Sequence, residues 1–160
     1  MEREKFIKHY GSLYENSPHI AIEIYELHNL DTLSPLERLE LMKDYVNNMD
    51  KKLKIKLILE HPELGIKKGQ TKNLTSHSKQ EQKRAGLDSL SGSEFNLLRR
   101  LNEKYMNKFK FPFIIAVSGL TKEEVFTNIR ARLENSAEIE FDRAINEIHK
   151  IAEIRHQSLY

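Results

Sequence analysis

Apolar residues recur along most of this chain at intervals of three and four, the period of a helix packed on one side. In LERLELMKDYVNNM the positions Leu36, Leu39, Leu41, Met42 and Val46 form a broad stripe, and towards the end Ile145, Ile148, Ile151 and Ala152 repeat the spacing. Several stretches carry their own start signals. Ser17-Pro18 and Ser34-Pro35 each set a capping residue before a proline at the first helical position, where the missing amide proton costs nothing. Ser91 with Glu94, and Thr121 with Glu124, have the spacing of a capping box, and the apolar period beyond them predicts helices of about 18 and 13 residues. Sustained two-residue alternation is missing. The pattern predicts an all-α fold, a single compact multi-helix domain over residues 1–160.

One apolar stretch breaks the period. FPFIIAV, residues 111–117, is β-branched and aromatic with Pro112 near its start, and suits either a buried strand or an extended connector. With no partner strand evident, the connector is preferred. Pro62, Gly65 and Gly69 interrupt the chain after a helix predicted to end near Glu60. No internal repeat, low-complexity tract or linker divides the domain.

Composition removes several kinds of chemistry. Cysteine is absent, which excludes a disulfide framework, a thiolate nucleophile and cysteine-ligated zinc. The 26 Lys plus Arg and 24 Asp plus Glu leave a formal charge of +2, which is not the footprint of a nucleic-acid binder. The lysines at 51, 52, 54, 56, 67, 68 and 72 cluster, yet balancing acids and the lack of interleaved aromatics read as a solvated surface. The amino terminus is charged from its second residue, and the longest apolar run is far too short to span a bilayer. The expectation is a soluble, cytoplasmic protein that engages neither membrane nor nucleic acid. No P-loop, Rossmann fingerprint, GxSxG elbow or HExxH pair is present. Neither a metal nor a cofactor is expected.

What remains is the polar stretch from His61 to Asp88, where an imidazole and a carboxylate fall close together. His61 precedes a proline, which disfavours continuing the helix and places the ring at a helix end. There it serves either as a proton carrier near neutral pH or as a cation complementing the helix dipole. SHSKQEQKRAGLD has helical composition, and on that helix Ser78, Glu81 and Gln82 share a face through spacings of three and four. They form either one wall of a pocket or a solvated face on which Glu81 reaches Lys83 or Arg84.

Taken together, HYGSLYENSP, HPELG, SKQEQKRAGLD, FPFIIAVSG and a closing IHKIAEIR resemble the 2-oxo-4-hydroxy-4-carboxy-5-ureidoimidazoline (OHCU) decarboxylase family of urate degradation, over nearly the whole chain and in the family's order. The resemblance implies an all-α domain, usually a homodimer, that releases carbon dioxide from this small-molecule substrate and delivers (S)-allantoin without cofactor or metal. It places the catalytic histidine on His61 and the active-site glutamate on Glu81. Pro62, the run Ser78, Lys79, Gln80, Glu81 and Gln82, and the backbone along Phe113, Ile114, Ile115, Ala116 and Val117 correspond to substrate-contacting positions. The chain departs from the family at His19, where tryptophan is common, and at Ser118, where many members have a basic residue. If that residue holds substrate, its task passes here to Lys79, Lys83, Arg84 or backbone amides. The chemistry agrees with a bare protein site, since the substrate's own imine can accept the electron pair that decarboxylation leaves behind. The competing readings are a diverged, non-catalytic helical interaction module, and a nucleic-acid-binding helical domain using Lys51 to Lys72.

Overall fold

The computed structural model describes residues 1–65 and 74–160, so Lys67, Lys68, Gly69 and Lys72 lie outside the described residues. Eight α-helices occur among them: α1 Arg3–Tyr10, α2 His19–Leu27, α3 Pro35–Asn47, α4 Lys51–Leu59, α5 Ser76–Arg84, α6 Gly92–Phe109, α7 Lys122–Arg132 and α8 Ala137–Gln157. A short 3-10 turn, Leu30–Thr32, joins α2 to α3, and no strand occurs among the described residues. The fold is all-α.

Local chemistry sets most helix starts. Ser34, Ser91 and Thr121 form complete capping boxes with Glu37, Glu94 and Glu124, and Pro35 occupies the first turn of α3. Asp50, Thr75 and Ser136 cap α4, α5 and α8 by accepting a first-turn amide. Ser17 does not behave as its sequence context predicts. Pro18 takes the capping position of α2 without a side-chain bond, and the Ser17 hydroxyl donates instead to the Glu15 carbonyl at 2.9 Å. Helix α6 has the expected 18 residues, whereas α7 stops at 11 with Leu133 as its C-cap. In α3 the stripe is narrower than the sequence suggests. Leu39, Met42 and Val46 are buried, but Leu36, in the first turn at the edge of that face, is 64% exposed.

Helix α8 is the longest element and packs against α3, α4 and α6, while α2 lies on α1 and α3. Its apolar face behaves as the period predicts, with Ile145, Ile148 and Ala152 buried and Ile151 half-buried. The same helix also buries Glu140, Glu147, His149, Arg155 and His156, a polar load that must be satisfied internally. His149 lies between the Tyr14 hydroxyl and the Asn47 side-chain oxygen, each at 2.8 Å.

Residues 111–117 link α6 towards α7 with neither helix nor strand, yet Phe111, Phe113, Ile114, Ile115 and Val117 are buried. Arg132, at the end of α7, holds this connector. Its Nη1 donates to the Ile114 carbonyl and its guanidinium lies 4.5 Å from the Phe113 ring centroid. The Arg132 Nε donates to Glu140 at 2.8 Å, and that fully buried carboxylate also takes the Tyr105 hydroxyl and the Asn135 amide. Replacing Arg132 with methionine therefore leaves Glu140 without its cation, at an expected cost of about 3–5 kcal/mol in urea unfolding. The double replacement Arg132→Met with Glu140→Leu is expected to recover much of that loss, because no buried charge is then left unpaired.

Candidate active site

Helix α4 ends one turn before Pro62, and His61 closes that end. Its ring Nδ1 donates to the Leu57 carbonyl at 2.9 Å, which assigns Nε2 as the acceptor nitrogen. Among the described residues Nε2 has no hydrogen-bond partner. Burial pushes the imidazole pKa down to about 4, against the opposing pull of the Leu57 carbonyl and the Glu15 charge. His61 is thus bonded to the last turn of a helix, as one reading of the sequence held, but as a neutral ring and not as a cation.

The chain beyond it folds back on α5 and α6. The Gly65 amide donates to Gln82 Oε1 at 2.9 Å, Gln82 Nε2 donates to the Glu63 carbonyl at 3.2 Å, and Asn102 donates to the Leu64 carbonyl at 3.1 Å. Gly65 is required twice over at this bend. Its φ is +71°, and an added Cβ would sit 2.4 Å from a Leu98 methyl. The HPELG motif is therefore a turn whose backbone is bonded to the face of α5 that the sequence singled out.

Glu81 on that face meets Arg155 of α8. The guanidinium binds the carboxylate through both oxygens, Nε to Oε2 at 3.0 Å and Nη2 to Oε1 at 2.9 Å. Arg155 also donates to the Ser12 carbonyl at 3.1 Å, to the Ser78 hydroxyl at 3.4 Å and to Glu15 at 3.3 Å. Glu15, in the loop between α1 and α2, accepts in addition from the hydroxyls of Ser78 and Thr75. Burial works against the charge on Glu15, but Arg155 and these hydroxyls outweigh it and hold the carboxyl below its ordinary range. Burial likewise works against the Arg155 cation, and its two carboxylates outweigh that and raise its pKa further.

These groups open onto one cleft. His61, Pro62, Ser78, Glu81, Gln82 and the connector residues Phe113, Ile114, Ile115, Ala116 and Val117 all line it. Ser118 and the aliphatic Leu64, Ile151 and Ile154 complete the wall. Lys79 and Gln80 do not line it, being exposed on the outer side of α5 together with Lys83 and Arg84. His19 is exposed at the start of α2 and is also outside the cleft. Among the described residues the one cation lining the cleft comes from α8, as Arg155, and it is bonded to Glu15 and Glu81. The side chains of Ser78 and Gln82 are already engaged within the protein, which makes them supports for Glu15 and for the 63–65 turn.

Glu15 and Arg155 are the two site residues that sequence reasoning missed. A signal for Arg155 did exist. It follows Ile148 by seven positions and Ala152 by three, so a cation occupies a position on the buried stripe of α8. Among the described residues no group of three or more His, Asp or Glu side chains is placed to hold a metal ion, and no helix is long and apolar enough to cross a membrane.

Comparison with known proteins agrees with this architecture. The chain is 37% identical over 160 residues to a uric acid degradation bifunctional protein of Bacillus sp. (strain TB-90), covering all of this chain but 31% of that protein's length. It is 32% identical over 155 residues to a 2-oxo-4-hydroxy-4-carboxy-5-ureidoimidazoline decarboxylase of Haloferax volcanii, covering 97% of this chain and 89% of the relative. A crystal structure of an OHCU decarboxylase in the presence of (S)-allantoin superposes with a TM-score of 0.71 at 26% identity, over 88% of this chain and 89% of that one. With the family profile matching residues 1–157, this chain belongs to the OHCU decarboxylase family.

Proposed function

We propose that this protein converts 2-oxo-4-hydroxy-4-carboxy-5-ureidoimidazoline to (S)-allantoin and carbon dioxide in urate degradation, with His61 and Glu81 as its proton-handling pair. The observation that carries the reading is their convergence. An imidazole with a free acceptor nitrogen and a carboxylate fixed by a guanidinium line one cleft, in a chain of this family.

The chemistry balances with these groups. The bond from the ring carbon to the carboxylate breaks, carbon dioxide leaves, and the bonding pair moves into the ring, where the adjacent imine accepts it. The imine nitrogen and its carbon each take a proton, while the hydroxyl gives up its own and becomes a carbonyl. One net proton is taken up. Glu81, held in one orientation by Arg155, receives the hydroxyl proton. His61 supplies the carbon's proton through Nε2, because Nδ1 is committed to Leu57.

A neutral ring must first acquire that proton, and the substrate's own charge provides for it. A bound carboxylate beside the imidazole favours the imidazolium, and its departure as carbon dioxide withdraws that support. The proton is therefore held firmly before decarboxylation and released more readily after it. The connector contributes backbone donors and acceptors from an apolar wall, suited to a ligand rich in urea and amide groups. The same reading includes a homodimer in the cytoplasm, for which sedimentation equilibrium is expected to give twice the protomer mass.

His61→Ala and Glu81→Gln are each expected to lose roughly 10²- to 10⁴-fold in turnover while keeping the helical circular dichroism of the parent. The assay generates the substrate from urate in situ, with a chelator present, and follows its absorbance and the circular dichroism of the allantoin formed. Wild-type protein that leaves the spontaneous decay unchanged would sink the reading, and near-normal turnover in one variant would remove that residue from it. A pH prediction follows from the resting state of His61. Its folded pKa of about 4 lies below the ordinary 6.5, so between these values the unfolded chain binds more protons. Stability is full above pH 6.5 and falls as pH drops towards 4. Nitrogen-15 NMR of the free protein at pH 6 is expected to find His61 neutral with its proton on Nδ1, and urea titrations of His61→Asn should show a shallower acid loss than the parent.

A further inference from the structure

The connector separates two hollows. Ile115, Ala116, Ser118 and Ile154 line the catalytic cleft and also a second cavity, which Asn128, Arg143, Glu147 and Lys150 help to form. Glu147 does not line the catalytic cleft, and it is almost wholly buried at 2% exposure. Its Oε1 accepts the Ala116 amide at 3.2 Å, and its Oε2 lies 2.9 Å from Lys150 Nζ and 3.6 Å from Arg143 Nε.

Two backbone groups of the connector are thus pinned by long side chains from neighbouring helices, the Ile114 carbonyl by Arg132 and the Ala116 amide by Glu147. Between and beside them, the amide and carbonyl of Ile115 and the amide of Val117 have no hydrogen-bond partner among the described residues. Ile115 and Val117 are 5% and 6% exposed and line the cleft. Buried backbone groups are almost always paired, so unpaired ones along a cleft wall are partners held for a ligand. Their usefulness depends on where the two pins place them.

We propose that Glu147 is a positioning residue. By fixing the Ala116 amide from the far side of the connector, it sets the place of the Ile115 and Val117 backbone groups that receive the ureide and ring amides of the substrate. The proposal rests on the reaction put forward above and adds to it the element that shapes substrate binding. Loss of the pin should weaken binding more than chemistry, since Glu147 touches neither His61 nor Glu81.

The test compares Glu147→Gln with Glu147→Met. Both remove the charge facing Arg143 and Lys150 and both keep the length of the side chain, but only glutamine retains an acceptor for the Ala116 amide. Glu147→Met is expected to raise KM about tenfold with kcat within about twofold, and to lose hydrogen-exchange protection at Ala116, as fits one lost hydrogen bond and a misplaced wall. Glu147→Gln should stay within about threefold of the parent in KM and keep that protection. Equal KM values in the two variants, or unchanged Ala116 protection in Glu147→Met, would overturn the proposal even if both variants melt lower than the parent. A parent protein without turnover would reject the proposed reaction instead, while the Ala116 protection in the two variants would still decide whether Glu147 is the pin.

Discussion

Arg155 is a cation placed where water cannot reach it, and the site is arranged around satisfying it. At 3% exposure, a guanidinium without partners would cost several kcal/mol. Its partners come from two separate parts of the chain, Ser12 and Glu15 before α2 and Ser78 and Glu81 on α5, while α8 carries it. Bringing them together fixes the loop after α1 against both helices. Glu81 therefore does not sample rotamers on an exposed helix face; it is held bidentately with one edge towards the cleft. The same contacts keep Glu15 charged beside His61, so one arginine sets the geometry of one candidate catalytic group and the electrostatics near the other.

A second buried pair, Arg132 with Glu140, does for the connector what Arg155 does for α5. Buried ion pairs are weak sources of stability, because desolvation offsets most of their attraction. Their value here is positional. Each guanidinium presents several donors in a fixed plane, and each uses them to bind backbone carbonyls as well as a carboxylate: Ser12 in one case and Ile114 in the other. Segments without helical hydrogen bonding are thereby anchored to helices α7 and α8. That matters for residues 113–117, which line the cleft without any ladder of their own.

The starts of α3, α6 and α7 were legible in the sequence because they depend on neighbours three or four positions away. The cap-and-proline pair at Ser34 and the capping boxes at Ser91 and Thr121 are what the local pattern showed. Ser17 misled because its hydroxyl had a competing acceptor two residues back, a choice that local pattern does not reveal. The grouping of His61 with Glu81 was legible only through the order of motif blocks. The spacing put Ser78, Glu81 and Gln82 on one face, with Lys79 and Gln80 off it, but nothing in it said that Gln82 would bond the 63–65 turn. Arg155 was overlooked for a physical reason. A charge on an amphipathic helix is normally assigned to solvent, and its burial depends on Glu15, 140 residues away, which no local window contains.

The charge balance of the cleft also bears on the proposed reaction. Among the described residues lining it, the one cation is Arg155, already shared between Glu15 and Glu81, and His61 rests neutral. An incoming carboxylate therefore meets backbone amides and an imidazole able to take up a proton, but no cation waiting to be neutralised. For a reaction that expels this carboxylate as a neutral gas, such restraint is favourable. A fixed arginine or lysine on the carboxylate would stabilise the bound substrate and lose its partner on the way to the transition state, raising the barrier by as much as it tightened binding, whereas the His61 imidazolium gives up its proton in the next step. Backbone contacts to the ureide and ring persist through the reaction and can hold the molecule in register instead. Ser118, where a basic side chain might have been expected, is then consistent with a site that grips its ligand by the part that stays.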